Sequence, residues 1–336
     1  MWQITGHDWV ITMLTNSIVQ QTVSHAYLFS GPPHVGKMTL ALNLAQALNC
    51  EQQEAPCQHC TACRKISAGT HPDVRVIDLE YQARLREEPP AQQRELRIDT
   101  IRSVREDVSL KPFEAPRKAF IIQDADRMNS EAANALLKTL EEPPPHAVLM
   151  LTACNARSLL PTIVSRCQVF GLRLVPTRLI EEELRLRHGV DEVRASLLAK
   201  LSGGRIGWAI TAAQNETVLK QREDTLRQLA ALPKMGRIDR LDYAMRLSRR
   251  PALTREVLEL WLGWWRDLLL IRAGCPEMIS NVDLSSALEE QASKHDLREM
   301  MGFIGGITRT MHRLEVNVNP RLALEVLMLD LPAEAT

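Results

Sequence analysis

The sequence predicts an α/β fold, a doubly wound parallel sheet built around a phosphate loop, followed by an all-α region. Three observations lead to this prediction. A Gly/Pro-rich turn, GPPHVGK at 31–37, lies between a short apolar run and a helical segment, which is the strand–loop–helix context of phosphate loops. Short apolar runs then alternate with helix-period segments up to residue 172, as in parallel sheets. Beyond Pro176 the strand signals end and helical patterns remain.

The apolar runs predict the strands, and the periodic segments between them predict the helices. We expect strands at 27–29, 74–79, 120–122, 148–152 and 168–172. We expect helices at 10–23, 39–48, 98–108, 130–140 and 159–164, and further ones at 177–188, 191–201 and 206–214. Residues 81–95 carry many charges, a proline pair and no periodicity, so this stretch is predicted to be an exposed excursion.

The composition is that of an ordinary globular chain with no net charge. Its 336 residues predict two or three domains, 45% of them are hydrophobic, and 41 basic side chains balance 41 acidic ones. Neutrality argues against an autonomous grip on nucleic acid, which depends on clustered cationic charge. No apolar run approaches about 18 residues and the N-terminus lacks a basic, apolar leader, so we expect a cytoplasmic protein without a membrane span.

The phosphate loop lacks one of its usual chemical groups. Backbone N–H groups from Gly31 to Lys37 are expected to surround a phosphate at a helix N-terminus, with the lysine reaching its outer oxygens. The next position should offer a hydroxyl to Mg²⁺ but holds Met38, whose thioether is a poor ligand for a hard cation. Thr39 lies about 100° further round the helix and is expected to point away. The residues assigned to this degenerate loop are Gly31, Gly36, Lys37 and Thr39; the alternative is a chance glycine turn.

A second metal-holding position is also altered. A phosphate-loop ATPase needs an acidic side chain at the end of a neighbouring strand, usually followed by a glutamate that activates water. Here Gln123 and then Asp124 follow the strand at 120–122. A neutral amide does not neutralise Mg²⁺, and aspartate is shorter than glutamate. Together with Met38, this predicts no independent ATP hydrolysis, while nucleotide binding without turnover stays open.

Four cysteines are spaced for a metal ion. They are Cys50, Cys57, Cys60 and Cys63. Tetrahedral Zn²⁺ takes four thiolates, and CxxC spacing brings two sulfurs to one ion. An iron–sulfur cluster and unligated thiols are the alternatives, and His59 or His71 could replace one cysteine. Four protein ligands leave no open position, so we expect a structural zinc site.

Two further features have competing interpretations. The tripeptide SRC at 165–167 lies between a helix and a strand. Its Arg166 is either a surface side chain or an arginine presented to a neighbouring subunit's nucleotide, where it would stabilise transition-state charge. Trp261, Trp264 and Trp265 fall at helical spacing, which favours a core or a subunit interface over a base-stacking platform.

Several motifs together resemble one family. They are HAYLFSGPPHVGK at 25–37, the cysteine module ending in AGTHPD at 68–73, RKAFIIQDADRMNSEAANALLKTLEEPP at 117–144, LLPTIVSRCQ at 159–168 and NPRLALEVLMLDL at 319–331. In this order they resemble the delta-prime subunits of the bacterial DNA polymerase III clamp loader. The similarity runs through nearly the whole chain and is densest from 25 to 167.

The resemblance implies an architecture and a set of partners. It implies an AAA+ module at 1–173 with a zinc module at 50–63, a helical lid at 174–215 and a helical collar at 216–336. Such a chain joins motor (gamma/tau-like) and delta-like subunits in a hetero-oligomeric open ring. The ring opens the sliding clamp and places it on primed DNA as part of the DNA polymerase holoenzyme.

The resemblance also implies roles for particular residues. Delta-prime chains act as rigid stators, and their SRC arginine, here Arg166, reaches the ATP of an adjacent motor subunit. The zinc ligands map to Cys50, Cys57, Cys60 and Cys63. Motor relatives carry a lid arginine where this chain has Gly207, with Arg205 displaced, so the lid is not expected to sense ATP. The alternatives are a self-sufficient ATPase motor of a clamp loader or related AAA+ protein, and a zinc-dependent nucleic-acid binding module.

Overall fold

The computed structural model describes residues 2–315 and 318–332, which form two compact units. The first unit runs to Pro176 and also includes Arg205–Gly207. The second begins at Thr177 and contains the remaining residues. Residues 333–336, at the end of the collar expected from sequence, lie outside the described residues.

A five-stranded parallel sheet forms the centre of the first unit. Its strands are β1 (Ala26–Ser30), β2 (Val74–Ile77), β3 (Lys118–Ile122), β4 (Ala147–Ala153) and β5 (Gln168–Gly171), in the order β2-β3-β4-β1-β5. The register pairs Ser30 with Ala153 on one side of β1 and with Gly171 on the other. Because the strands are parallel, the segments that follow β1, β3 and β4 all leave from one edge of the sheet.

Helices cover both faces of this sheet, since every residue of β1, β3 and β4 is buried. They are α1 (Asp8–Val19), α2 (Lys37–Leu48), α3 (Thr61–Ser67), α4 (Leu79–Arg86), α5 (Ile98–Ser109), α6 (Ser130–Glu141) and α7 (Pro161–Val164). Tyr27 and Phe29 of β1 join one apolar cluster with residues of α1–α3. Leu28, between them, joins a second cluster with residues of α5–α7. The sheet is therefore doubly wound, and the predicted α/β P-loop fold class is confirmed.

The segment after β2 refines one prediction. Residues 81–95, expected to be an exposed excursion, include most of α4 and fold around the fully buried amide of Gln82. That amide donates to Gln93 Oε1 at 2.7 Å and accepts from the Thr100 hydroxyl at 2.8 Å. A buried, satisfied amide organises a chain without any apolar period, so a search for periodicity missed it.

The second unit is helical throughout its described residues. With the start of α10 in the first unit, its helices are α8 (Thr177–His188), α9 (Glu192–Leu201), α10 (Ile206–Gln214), α11 (Glu216–Ala231), α12 (Arg237–Ser248), α13 (Pro251–Arg272), α14 (Ser285–Ala292), α15 (Leu297–Glu315) and α16 (Pro320–Leu329). Trp261, Trp264 and Trp265 of α13 lie in its apolar core, where the Trp264 indole N–H donates to Gln291 Oε1 at 2.8 Å. The tryptophans are thus core residues.

A buried guanidinium joins α12 to the residue Leu331 within this unit. Arg240 on α12, 7% exposed, donates to the carbonyls of Leu232, Pro233 and Leu331 at 2.8–3.0 Å. Burial lowers the pKa of Arg240, but each of its three guanidinium nitrogens donates to a carbonyl oxygen. Among the described residues, none of the helices has the combination of length and apolarity needed to cross a bilayer.

Candidate nucleotide site, metal centre and surface arginine

The backbone of the phosphate loop is set by its two end glycines. Gly31 has φ +151°, and a Cβ there would collide with the backbone oxygen of Leu172. That oxygen cannot retreat easily, because the Leu172 N–H donates to Ser30 O at 2.7 Å beside the sheet. Gly36, at φ +102°, caps the N-terminus of α2 in a left-handed conformation that favours glycine. Both glycines therefore serve the fold itself, whether or not a phosphate is bound.

Lys37 is turned onto its own loop. The side chain is 7% exposed, and its Nζ donates to Gly31 O and Pro32 O at 2.7 Å each. A phosphate bound in the loop would have to replace these two carbonyl contacts as partners of the ammonium. Thr39 is half-buried in the first turn of α2.

Met38 belongs to the apolar core at the point where a magnesium ligand would stand. Its half-buried side chain packs against the cluster that contains Tyr27, Phe29 and Leu40. Position 38 therefore has no hydroxyl, and its side chain takes part in apolar packing instead. A thioether held among apolar side chains offers Mg²⁺ neither charge nor a hard oxygen.

Gln123 and Asp124 stand at the same sheet edge as the loop, as their position after β3 predicts. The Gln123 N–H donates to Ile77 O at 2.9 Å, and the Asp124 N–H donates to the Thr152 hydroxyl at 3.0 Å. Asp124 has φ +49° and its carboxylate lies 4.0 Å from the Arg127 guanidinium. The first acidic position is thus a neutral amide, and the nearby carboxylate already has a cationic neighbour.

Gly207 lies against the phosphate loop inside the first unit. Its N–H donates to His34 O at 2.8 Å, and a Cβ at this position would approach that oxygen to 3.1 Å. An arginine here, as the motor relatives are expected to carry, would begin with a contact tighter than ordinary packing allows. Gly207 therefore has a steric reason to be glycine.

Arg166 lies on the surface, fixed at two points. It follows α7 and precedes β5, and its side chain is 35% exposed. One guanidinium nitrogen donates to Thr162 O at 2.9 Å and the other lies 2.9 Å from Glu141 Oε1 at the end of α6. An exposed ion pair of this kind contributes little stability, so the contact orients the guanidinium more than it supports the fold.

The four cysteine sulfurs converge on one point. They lie within 4.8 Å of one another, and the Cys57 and Cys63 sulfurs are 4.0 Å apart. Four sulfurs around one zinc ion at 2.3 Å are about 3.8 Å apart, so the donor set and its spacing fit a closed tetrahedral site. The ligand-type argument favours zinc, because soft thiolates select it over hard cations.

The local backbone prepares these sulfurs to be thiolates. The Cys60 N–H donates to the Cys57 sulfur at 3.2 Å, and the Cys63 N–H donates to the Cys60 sulfur at 3.4 Å. Burial opposes ionisation of Cys57, but the N–H groups of Cys60 and His59 outweigh it and lower its pKa to about 6. Burial raises the pKa of Cys50 and Cys63. One thiol of the four is thus poised to ionise near neutral pH, and the cluster can lose further protons when a metal binds.

Side chains around the cluster tie it to α2, and neither candidate histidine joins it. Gln46 on α2 donates to Cys63 O at 3.1 Å and accepts from the Gln58 amide at 3.0 Å. The His59 ring contacts Cys57 O at 2.8 Å, and the buried His71 ring accepts from the Asp73 N–H at 3.1 Å. Because the sulfurs alone form the cluster, the proposed histidine replacements are unnecessary.

Two contacts at these sites have no signature in the sequence. Glu141, the partner of Arg166, lies just beyond the helix predicted at 130–140. Gln46, which holds the cysteine segment, sits in an ordinary helical stretch. Both pairs join residues that are 17 or more positions apart, and only the topology brings such residues together.

Comparison with known proteins identifies the family that the sequence matches. Residues 6–176 match the family described as DNA polymerase III, delta subunit, and residues 216–332 match DNA polymerase III, delta subunit, C terminal. DNA polymerase III subunit delta' of Bacillus subtilis (strain 168) is 28% identical over 324 residues, which cover 95% of this chain and 94% of that protein. DNA polymerase III subunit delta' of Pseudomonas aeruginosa is 40% identical over 146 residues, 43% of this chain and 42% of that protein.

A subunit of another name is almost as similar. DNA polymerase III subunit tau of Bacillus subtilis (strain 168) is 26% identical over 348 residues, which cover 96% of this chain and 60% of that protein. The likeness to tau and the likeness to delta' therefore extend over the same sheet and helices. On the family matches, which span both units, the chain belongs to the DNA polymerase III delta-subunit family of clamp-loader proteins.

Proposed function

We propose that this chain is a delta-prime-like stator of a DNA polymerase III clamp loader, which does not hydrolyse ATP and supplies Arg166 to a neighbouring subunit's ATP. One observation carries the proposal: at the sheet edge beside the loop, both positions expected to hold magnesium lack a suitable ligand. Met38 packs in the core where a hydroxyl is needed, and Gln123 is neutral where a carboxylate is needed. Phosphoryl transfer depends almost wholly on positioning and on charge stabilisation by the metal, so both losses act on the same step.

The surface position of Arg166 supports its role in trans. The guanidinium is held by Thr162 O and Glu141 yet stays partly exposed, so it can meet a phosphate on another chain without rearranging the fold. A γ-phosphate carries more charge than the Glu141 carboxylate and accepts planar, bidentate contacts from arginine. We infer that Glu141 keeps the guanidinium oriented until the neighbouring ATP replaces it.

The remaining assignments follow from the same proposal. Zinc at Cys50, Cys57, Cys60 and Cys63 has a structural role, and ATP has no required place in the phosphate loop. The partners are the motor (gamma/tau-like) and delta-like subunits, the sliding clamp and, through the complex, primed DNA. The division into an AAA+ module at 1–173, a lid at 174–215 and an oligomerising collar at 216–336 is part of this proposal, as is the cytoplasmic location.

A self-sufficient ATPase motor is the second candidate, favoured by the intact loop backbone and by the likeness to tau. The purified chain distinguishes the two. We expect negligible Mg²⁺-dependent ATP hydrolysis by the isolated protein, and an ATP titration in which Mg²⁺ does not tighten binding. Mg²⁺-dependent turnover that Lys37→Ala abolishes would establish the motor instead and overturn the proposal.

A further inference from the structure

A surface loop beside the cysteine cluster has no part in the function proposed above. This loop, residues 110–117, connects α5 to β3 and is called here the Phe113 loop. Phe113 is 84% exposed and Leu110 is 62% exposed, and among the described residues of the first unit no other large apolar side chain is as exposed as Phe113. Because the Phe113 side chain is not buried, packing does not determine where it lies. Its location depends instead on the polar contacts that hold the backbone of the loop.

The sheet supplies the first of these contacts. Asp73, immediately before β2 and 2% exposed, accepts the N–H groups of Phe113, Glu114 and Ala115 at 2.7, 2.8 and 2.9 Å. Burial works to raise the pKa of Asp73, but these three donors outweigh it and hold the pKa below its ordinary value. One ionised carboxylate thus fixes the backbone of the loop at its centre.

The cysteine module supplies the second contact. Lys65 on α3 donates to both carboxylate oxygens of Glu114, at 2.7 and 2.9 Å. Cys60 caps the N-terminus of the same helix and its sulfur accepts the Cys63 N–H, so two of the four sulfurs lie at its N-terminal end. Glu114 Oε1 also lies 3.6 Å from the buried His71 ring, but both side-chain hydrogen bonds of this carboxylate come from the helix that carries half of the cluster.

Helix α3 depends on its surroundings for its position. It has seven residues, and a helix this short does not persist alone in water. Ile66, 2% exposed, packs in the apolar cluster under the sheet and holds the C-terminal half of the helix. The first turn is held by the hydrogen bond from the Cys63 N–H to the Cys60 sulfur. A metal ion that joins Cys60 and Cys63 to Cys50 and Cys57 fixes that turn, and with it the direction in which Lys65 leaves the helix.

We propose that a zinc ion at the four cysteines positions the Phe113 loop through the Lys65–Glu114 contact. The metal then controls the surface that presents Phe113, in addition to closing its own segment. This inference goes beyond the proposed function and stands whether or not Arg166 acts on a neighbouring ATP.

Amide hydrogen exchange on the full-length protein tests this coupling. We expect removal of zinc by a chelator to accelerate exchange in the 110–117 segment by about threefold, since the partly exposed Lys65–Glu114 contact is lost, while β3 keeps its protection. Lys65→Met should show the same fast exchange with zinc still bound, and chelation should then add nothing. Arg64→Met, an exposed change one residue away, is the matched control and should behave as the wild type.

Two results would overturn the inference. Chelation that accelerates α3 alone, or a zinc-loaded Lys65→Met protein whose 110–117 segment stays protected, would mean that Asp73 holds the loop without the metal. Should chelation also release β3, the zinc-loaded Lys65→Met protein decides by itself: fast exchange confined to 110–117 supports the coupling, and full protection contradicts it.

Discussion

The phosphate loop and the cysteine cluster lie at the two ends of one helix. The loop has the backbone conformation of a binding site without its metal-binding side chain, whereas the cluster has all of its ligand side chains. At the N-terminus of α2 the loop keeps its backbone, with Gly31 and Gly36 in conformations that glycine favours. Its metal-binding side chain is gone, and Met38 packs in the core instead. Just beyond the C-terminus of α2, Cys50 and its three partners keep a complete donor set.

This difference separates the residues that the fold requires from those that only a bound metal would require. The glycines allow β1, α2 and Leu172 to approach closely, so the fold requires them without any nucleotide. A hydroxyl at position 38 would serve a metal ion, whereas the Met38 side chain packs against the apolar cluster. None of the four cysteines is dispensable in this way, because a tetrahedral site that loses one thiolate loses its closed coordination.

The largest effect is expected from breaking the cysteine cluster. Cys63→Ser replaces a fully buried thiol with a hydroxyl that zinc binds poorly, so the bound metal should fall from about one ion per chain to almost none. Metal analysis after dialysis measures this. Cys275→Ser, in the second unit, is the control, and a Cys63→Ser protein that retained its full zinc content would contradict the assignment of four ligands.

The next effect tests the claim that the loop is kept for the fold. Gly31→Ala places a Cβ against the Leu172 backbone oxygen and should lower the free energy of unfolding by about 3 kcal/mol. Chemical denaturation without nucleotide measures this loss. Gly69→Ala, at φ +68° with no neighbour within 4 Å of the added Cβ, isolates the strain of a positive φ from the collision. Equal losses in the two variants would show that the collision has no weight.

A smaller effect is expected from the carboxylate beside the cysteine module. The folded pKa of Asp73 lies below its ordinary 3.8, so its contribution is complete above that pH and is lost as the pH falls through the folded value. Asp73→Asn should lower stability at pH 7 by about 1–3 kcal/mol, since buried N–H groups lose acceptors. Its stability should also fall less steeply below pH 4. An unchanged acid limb would contradict the assigned pKa direction.

The smallest effect comes from restoring the loop's missing hydroxyl. Met38→Thr removes a half-buried side chain and should cost about 1 kcal/mol of stability. Combined with Gln123→Asp, it returns an oxygen ligand and a carboxylate to the metal site, so Mg²⁺ should tighten ATP binding in the double variant but not in the wild type. Isothermal titration compares the two proteins. Equal magnesium dependence would mean that these positions do not explain the loss of metal binding.

Sequence reasoning succeeded where a feature is local. The glycine loop, the alternating strands and the CxxC spacing each lie within a few residues, so the parallel sheet and the cysteine set were predictable. The segment 81–95 is largely exposed, as predicted, but it also contains most of α4 and the buried amide of Gln82, which has no periodic signature. The Lys65–Glu114 and Arg166–Glu141 contacts join residues 49 and 25 positions apart, and only the folded topology brings them together.

The proposed role of Arg166 in trans is tested by ATP turnover of the reconstituted clamp loader with clamp and primed DNA. Arg166→Ala should lower turnover by about tenfold or more, as expected when an arginine that stabilises transition-state charge is removed. Gel filtration should show an intact complex. Arg157→Ala, an exposed arginine in the same β4–β5 connection, should leave turnover unchanged. An assembled Arg166→Ala complex that hydrolyses ATP at the wild-type rate would contradict the claim.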